Sequence, residues 1–155
     1  MTERPFTPHP QRPRALLLGE SGGVGPMIAL AQQLHGRQDA HWQPLVLLGS
    51  DIPFPFRPRP SLIVVAGIPE GCIACMPLLD QWGIASRLAS RADFPGCFDG
   101  AVTELAQVWL QSLSAAGLLQ VEIFACGPAP MLEATAELAG RFNALCQVSL
   151  EESSV

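Results

Sequence analysis

Charge is scarce in this sequence, at 15% of residues against 48% hydrophobic, and a chain so poor in charge and rich in apolar side chains is not a disordered one. It has no dense basic cluster, and its net charge of −5 makes nucleic acid or an anionic membrane surface an unfavourable partner. It contains no apolar run approaching the roughly 20 residues that a membrane-spanning helix needs. The Pro-rich stretch at residues 1–13 has no apolar core of the kind a secretory signal carries, so a cytoplasmic location is expected. The five cysteines, Cys72, Cys75, Cys97, Cys126 and Cys146, are odd in number and follow no framework spacing, which argues for thiols over disulfides.

What is present is an alternation of short apolar runs with helical periodicity. Arg14-Ala-Leu-Leu-Leu-Gly19 is apolar throughout its middle, as a strand buried on both faces would be. It runs into the glycine-rich Glu20-Ser-Gly-Gly-Val-Gly25. Beyond Pro26, Met27, Ile28, Leu30, Ala31 and Leu34 recur at helical spacing. Strands are also expected at residues 45–49, 62–66, 85–90, 121–125 and 146–150, and helices at 72–82, 102–113 and 131–142. Strands separated by helices imply a three-layer, Rossmann-like α/β domain over residues 14–152, with a mainly parallel five-stranded sheet.

Two segments carry chemistry. A glycine turn between a strand and a helix lets backbone approach a pyrophosphate, and the helix offers N–H groups and the positive end of its dipole. Gly22, Gly23 and Gly25 suit that task, although the spacing is not the strict G-x-G-x-x-G and would equally serve close strand–helix packing. Near the other end, Phe124-Ala-Cys-Gly-Pro-Ala-Pro-Met131 puts Cys126 and Gly127 at the carboxyl end of a strand, the edge where open α/β sheets bind ligands. Cys126 could also be a small buried hydrophobe. The Cys72-Ile-Ala-Cys75 pair lacks a second pair for zinc and the usual redox context, so packing is the expected role. His9, His35 and His41 form no ligand-spaced set and are expected at the surface.

Gly22-Gly-Val-Gly-Pro26 before an apolar helix, together with Cys126-Gly-Pro-Ala-Pro-Met131, resembles the nicotinamide-binding domain of the ferredoxin–NADP reductase superfamily. A narrower likeness is to the electron-transfer subunit of dihydroorotate dehydrogenase. Gly96-Cys-Phe-Asp-Gly-Ala-Val-Thr-Glu-Leu105 is similar to that family's G-x-V-T-D-L turn, and Gln147-Val-Ser-Leu-Glu-Glu152 to the V-S-L-E strand before its [2Fe–2S] loop. The resemblance implies an NAD(H)-binding module of a flavin-dependent oxidoreductase. Gly22, Gly23 and Gly25 would lie under the pyrophosphate, Gly49 and Asp51 near the adenosine ribose, and Cys126 and Gly127 near the nicotinamide. Asp51 can accept hydrogen bonds from ribose hydroxyls but repels a 2′-phosphate, which favours NAD(H) over NADP(H).

The sequence departs from that family at Glu20 and Ser21, which stand where it keeps its first two glycines. Arg4-Pro-Phe6 resembles the tail of the flavin-binding barrel, but the barrel itself and the cluster cysteines are not found. FAD or FMN is therefore expected only on a partner domain or subunit, no iron–sulfur cluster is expected, and self-association is left open. Hydride transfer to a flavin needs positioning and no general acid or base, so no catalytic residue is named and the isolated chain is not expected to be active. The competing reading is a degenerate, non-catalytic interaction domain with the proline-stiffened Phe54-Pro-Phe56 loop as its contact surface.

Overall fold

The computed structural model of the chain describes residues 6–151. Arg4, Pro5 and Glu152, which belong to two of the likenesses above, lie outside the described residues. The first strand, β1 (Arg14–Glu20), passes through a single 3-10 turn, Ser21–Gly23, directly into helix α1 (Val24–Gly36). β2 (Leu45–Gly49) follows, then a long irregular connection holding the two-residue strands β3 (Arg59–Pro60) and β4 (Ala74–Cys75) and the short helix α2 (Pro77–Gln81). The chain continues through β5 (Ala85–Ser90), β6 (Phe98–Asp99), α3 (Val102–Gln111) and α4 (Ala115–Leu118). It closes with β7 (Val121–Gly127), α5 (Ala129–Phe142) and β8 (Leu145–Leu150).

The main sheet has the order β6-β5-β2-β1-β7-β8, and every pairing in it is parallel. Its centre is apolar on both faces because each face is covered. Leu16, Leu18, Leu45 and Leu47 pack with α3 and α5. Leu17, Val46 and Leu48, one residue out of phase, pack with α1 and with Leu79 of α2. The period of two in the strands thus divides side chains between two cores, and each fully buried leucine contributes about 2 kcal/mol of transfer free energy. This is the three-layer α/β architecture that the alternation of strands and helices implies.

The sheet has six strands where five were expected, the addition being β6, inside a segment that reads as a turn. The apolar run at 62–66 is in neither sheet. Ser61 and Asp80 hold it in an irregular path: the Ser61 hydroxyl donates to Asp80 Oδ1 at 2.6 Å, and Leu62 N donates to Asp80 Oδ2 at 3.0 Å. Leu62 and Val64 are left 93% exposed. The helix expected over 72–82 is confined to α2. Ile73 and Ala74 instead donate to the Gly96 carbonyl, and Pro77 opens the helix, since its ring is tolerated only in a first turn.

β1 leads through α1 to β2 on one side, while β7 pairs with its other side, so the winding of the sheet reverses between β1 and β7. In an open parallel sheet the crevice at the carboxyl ends beside such a reversal is where ligands bind. Glu20, the 3-10 turn, Gly127 and the starts of α1 and α5 all meet there.

Candidate functional site

The turn after β1 is built from residues with separate tasks. Ser21 adopts φ 55°, a left-handed conformation that glycine takes without strain and that costs a residue with a side chain about 1 kcal/mol. A glycine would suit this position, as the resembling family has. Gly23 is buried against the end of β7: a methyl group there would sit 1.8 Å from the Cys126 carbonyl oxygen, so only glycine fits. Gly25 is exposed, and a methyl group added to it would meet no atom within 4 Å. Gly22 is also exposed, and its N–H donates to the carboxylate of Glu151, just beyond β8. Neither the 3-10 turn nor α1 receives a side-chain cap from its own N-cap residue, so the Glu151 carboxylate satisfies a donor that the local sequence leaves open.

At the end of β7, Cys126 is 1% exposed, and its side chain lies in the α1-side core with Phe124 and Met27. The thiol therefore does not face the ligand edge where the resemblance would put it. Gly127 is buried, and a methyl group there would come within 2.9 Å of Met131 Sδ and 3.3 Å of the Glu20 carbonyl oxygen. Pro128 caps α5 from an extended conformation, one residue before the helix begins.

The third part of the crevice lies at the ends of β1, β2 and β5. Gly49 lets α3 approach, since a methyl group there would meet Val102 Cβ at 2.9 Å. Asp51 is exposed and engaged: its Oδ1 accepts from Arg91 N at 2.9 Å, and its Oδ2 lies 3.5 Å from Arg91 Nη1. The small cleft between these ends, about 30 Å³, is lined by Glu20, Gly49, Asp51, Arg91 and Val102 among others. It has room for a water or two, so a nucleotide would have to lie along its rim. Burial, and then the nearby Asp51 and Glu151 carboxylates, hold the Glu20 carboxyl above its ordinary pKa, with Arg91 opposing. The edge thus brings together the carboxylates of Glu20, Asp51 and Glu151 and the Arg91 guanidinium. Arg91 and Glu151 were not singled out in the sequence. Arg91 had one local signal, as a cation directly after a buried strand, and Glu151 appeared only as the last residue of the V-S-L-E likeness.

The seven residues nominated from the sequence thus separate. The fold brings Gly22, Gly23, Gly25 and Gly127 together at the β1/β7 reversal, with Gly49 and Asp51 one strand away. Gly23, Gly49 and Gly127 have packing reasons to be glycine, whereas Gly22 and Gly25 have open space or a movable carboxylate beside them.

Elsewhere, Cys72 and Cys75 are both buried, and burial raises both thiol pKa values, Cys75 to about 11. Protonated, buried thiols are poor nucleophiles, consistent with packing. Among the described residues no group of three or more His, Cys, Asp or Glu could hold a metal ion, and there is no disulfide. His35 and His41 are exposed, but His9 is half-buried with Nδ1 3.0 Å from Oε2 of the fully buried Glu122, so it is a structural partner and not a solvated surface histidine. Phe54, expected on a contact surface, is buried beside Phe56 and Phe94, with ring centroids 5.2 and 6.3 Å away. No helix among the described residues is long and apolar enough to cross a membrane.

No protein-family model and no curated protein matches the chain. Solved structures do. Ferredoxin reductase in carbazole 1,9a-dioxygenase superposes with a TM-score of 0.59 at 16% identity, over 92% of this chain and 39% of its own. The same reductase in its FAD apo form gives 0.58 at 17% identity, over 94% of this chain and 36% of that one. The chain thus spans well under half the length of these structures, and at such identity the likeness concerns fold. The chain has the α/β fold found in ferredoxin reductases.

Proposed function

We propose that the chain is a nicotinamide-dinucleotide-binding module that works with a flavin-carrying domain or subunit in an electron-transfer oxidoreductase, in the manner of the dihydroorotate dehydrogenase electron-transfer subunit. The observation that carries this reading is the Ser21–Gly25 turn at the reversal of the sheet. Gly25 there has no packing reason to be glycine, and the Gly22 N–H already donates to an anionic partner, the Glu151 carboxylate. A turn that seats a carboxylate has the donor chemistry to seat a phosphate. Gly22, Gly23 and Gly25 would hold the pyrophosphate, Asp51 the ribose hydroxyls, and Gly127 would let the nicotinamide approach the strand ends. A nicotinamide bound there would supply hydride. The residues of this chain would supply position, with Met131 packed beside Gly127.

Thermal melting tests the reading. NADH at about 100 times its dissociation constant should stabilise the chain by about 2.7 kcal/mol, a rise of roughly 5–10 °C for a chain of this size. An absence of any rise at millimolar NADH, in the native chain and in Glu151→Gln alike, would sink it. NADPH run in parallel checks the preference for NAD(H), which rests on Asp51. The Arg91 guanidinium beside that carboxylate is positioned to attenuate it.

A second reading has its own support. Glu20, Asp51 and Glu151 crowd the crevice with negative charge, which opposes a pyrophosphate. A non-catalytic interaction domain would tolerate that charge, with the exposed Leu62 and Val64 as its contact residues in place of Phe54.

A further inference from the structure

The turn at the sheet reversal is occupied from within the chain. β8 runs parallel to β7 with Leu150 opposite Gly127, and Glu151 N donates to the Gly127 carbonyl at 3.1 Å. The chain therefore leaves the sheet at the ligand-binding edge. The same strand end is pressed against the glycine turn through Gly23. From there the Glu151 side chain crosses to Gly22 and accepts its N–H. A methyl group on Gly22 would lie 2.8 Å from Glu151 Oε2, so the carboxylate fills the space that the missing side chain leaves.

We propose that Glu151 is an internal competitor for the anion seat of the turn, holding it closed until an incoming phosphate displaces it. The proposal rests on the nucleotide-binding reading of that turn. Two effects make the closure. The carboxylate uses the Gly22 donor that a phosphate oxygen would need, and its charge adds to those of Glu20 and Asp51 against an arriving anion. Arg91, the cation that could offset them, is turned toward Asp51. Anion binding thus costs the loss of a charge-assisted hydrogen bond before it gains its own. The affinity of the site is set by the strand end that delivers Glu151 as much as by the glycines.

The test uses the full chain, native and as Glu151→Gln and Glu151→Ala, titrated with inorganic pyrophosphate and with NADH. Binding is read by calorimetry and located by the amide resonance of Gly22. Removing the carboxylate should tighten pyrophosphate binding about ten- to a hundredfold, the equivalent of one hydrogen bond to a charged group, and the Gly22 resonance should move on addition of the anion. Equal affinity in all three chains overturns the proposal. So does a lower melting temperature in the variants with no gain in affinity, because Glu151 would then be only a cap for the turn. Variants that gain affinity for pyrophosphate but do not bind NADH uphold the internal competitor and defeat the dinucleotide reading. Variants that gain for both uphold the two together.

Discussion

Two crossings from strand to helix meet at the centre of the sheet's carboxyl edge, β1 into α1 and β7 into α5, and both carry glycine. At the β7 crossing the glycine is a packing device: Gly127 is buried between Met131 and the backbone of Glu20. At the β1 crossing the glycines divide. Gly23 is as tightly held as Gly127, while Gly22 and Gly25 are exposed. The number of glycines in a turn therefore says little about ligand binding. What separates the two uses is the space at each absent Cβ, a property of the fold and not of the motif.

Substitutions can break that comparison. Gly23→Ala should be the most damaging, since its methyl group would collide with backbone at 1.8 Å and neither strand nor turn can yield. A loss of about 3 kcal/mol or more is expected in urea unfolding, and a loss under 1 kcal/mol would show that the two crossings are not in hard contact. Gly25→Ala should do the reverse. Its backbone is not among the positive-φ positions and its surroundings are open, so stability should rise by about 0.5–1 kcal/mol. NADH affinity should fall at the same time, and a variant that is more stable with unchanged affinity would remove Gly25 from the site.

The smallest effect is expected at Glu20. Its carboxyl is held above the ordinary range by burial first, then by Asp51 and Glu151. The charged form is therefore disfavoured in the folded state, a penalty present at neutral pH and relieved as pH falls through the raised pKa. Glu20→Gln should be more stable than the native chain by about 0.5 kcal/mol at neutral pH, a size typical of partly exposed charges. That advantage should shrink on acidification. Melting curves across pH 4–8 check the sign, and an advantage that grew at low pH would contradict the placement of Glu20 among carboxylates.

The parts of this molecule that the sequence made legible are those governed by local pattern with strong burial. The apolar centres of β1, β2 and β7 have the length and pattern that suit strands covered on both faces, and the stripes Val102, Leu105, Ala106, Trp109 and Met131, Leu132, Thr135, Leu138 have the spacing of α3 and α5. Pattern failed at residues 62–66, where an apolar run is flanked by Pro60 and pinned by Ser61 and Asp80 into a path that no strand partners. It failed at β6 because a two-residue strand exists only through its neighbour. The site was half legible. Glycines and Asp51 could be nominated from residue type, but the Glu151 contact with Gly22 and the Arg91 contact with Asp51 join distant residues and depend on sheet order. Cys126 was legible as a position and not as an orientation, because the pleat of β7 turns its thiol into the core.

The central pairing of β1 with β7 sets Arg14 opposite Val121 and Gly19 opposite Cys126. During synthesis the glycine turn emerges early and its other wall emerges late, after β2, β5 and α3 have been made. Until β7 arrives, β1 can be covered on one edge only, and the crevice has a single side. A ligand of that crevice would therefore be unable to assist the early collapse of the chain. It would act only on an assembled sheet, whose closing step is a contact of high sequence separation and correspondingly slow formation.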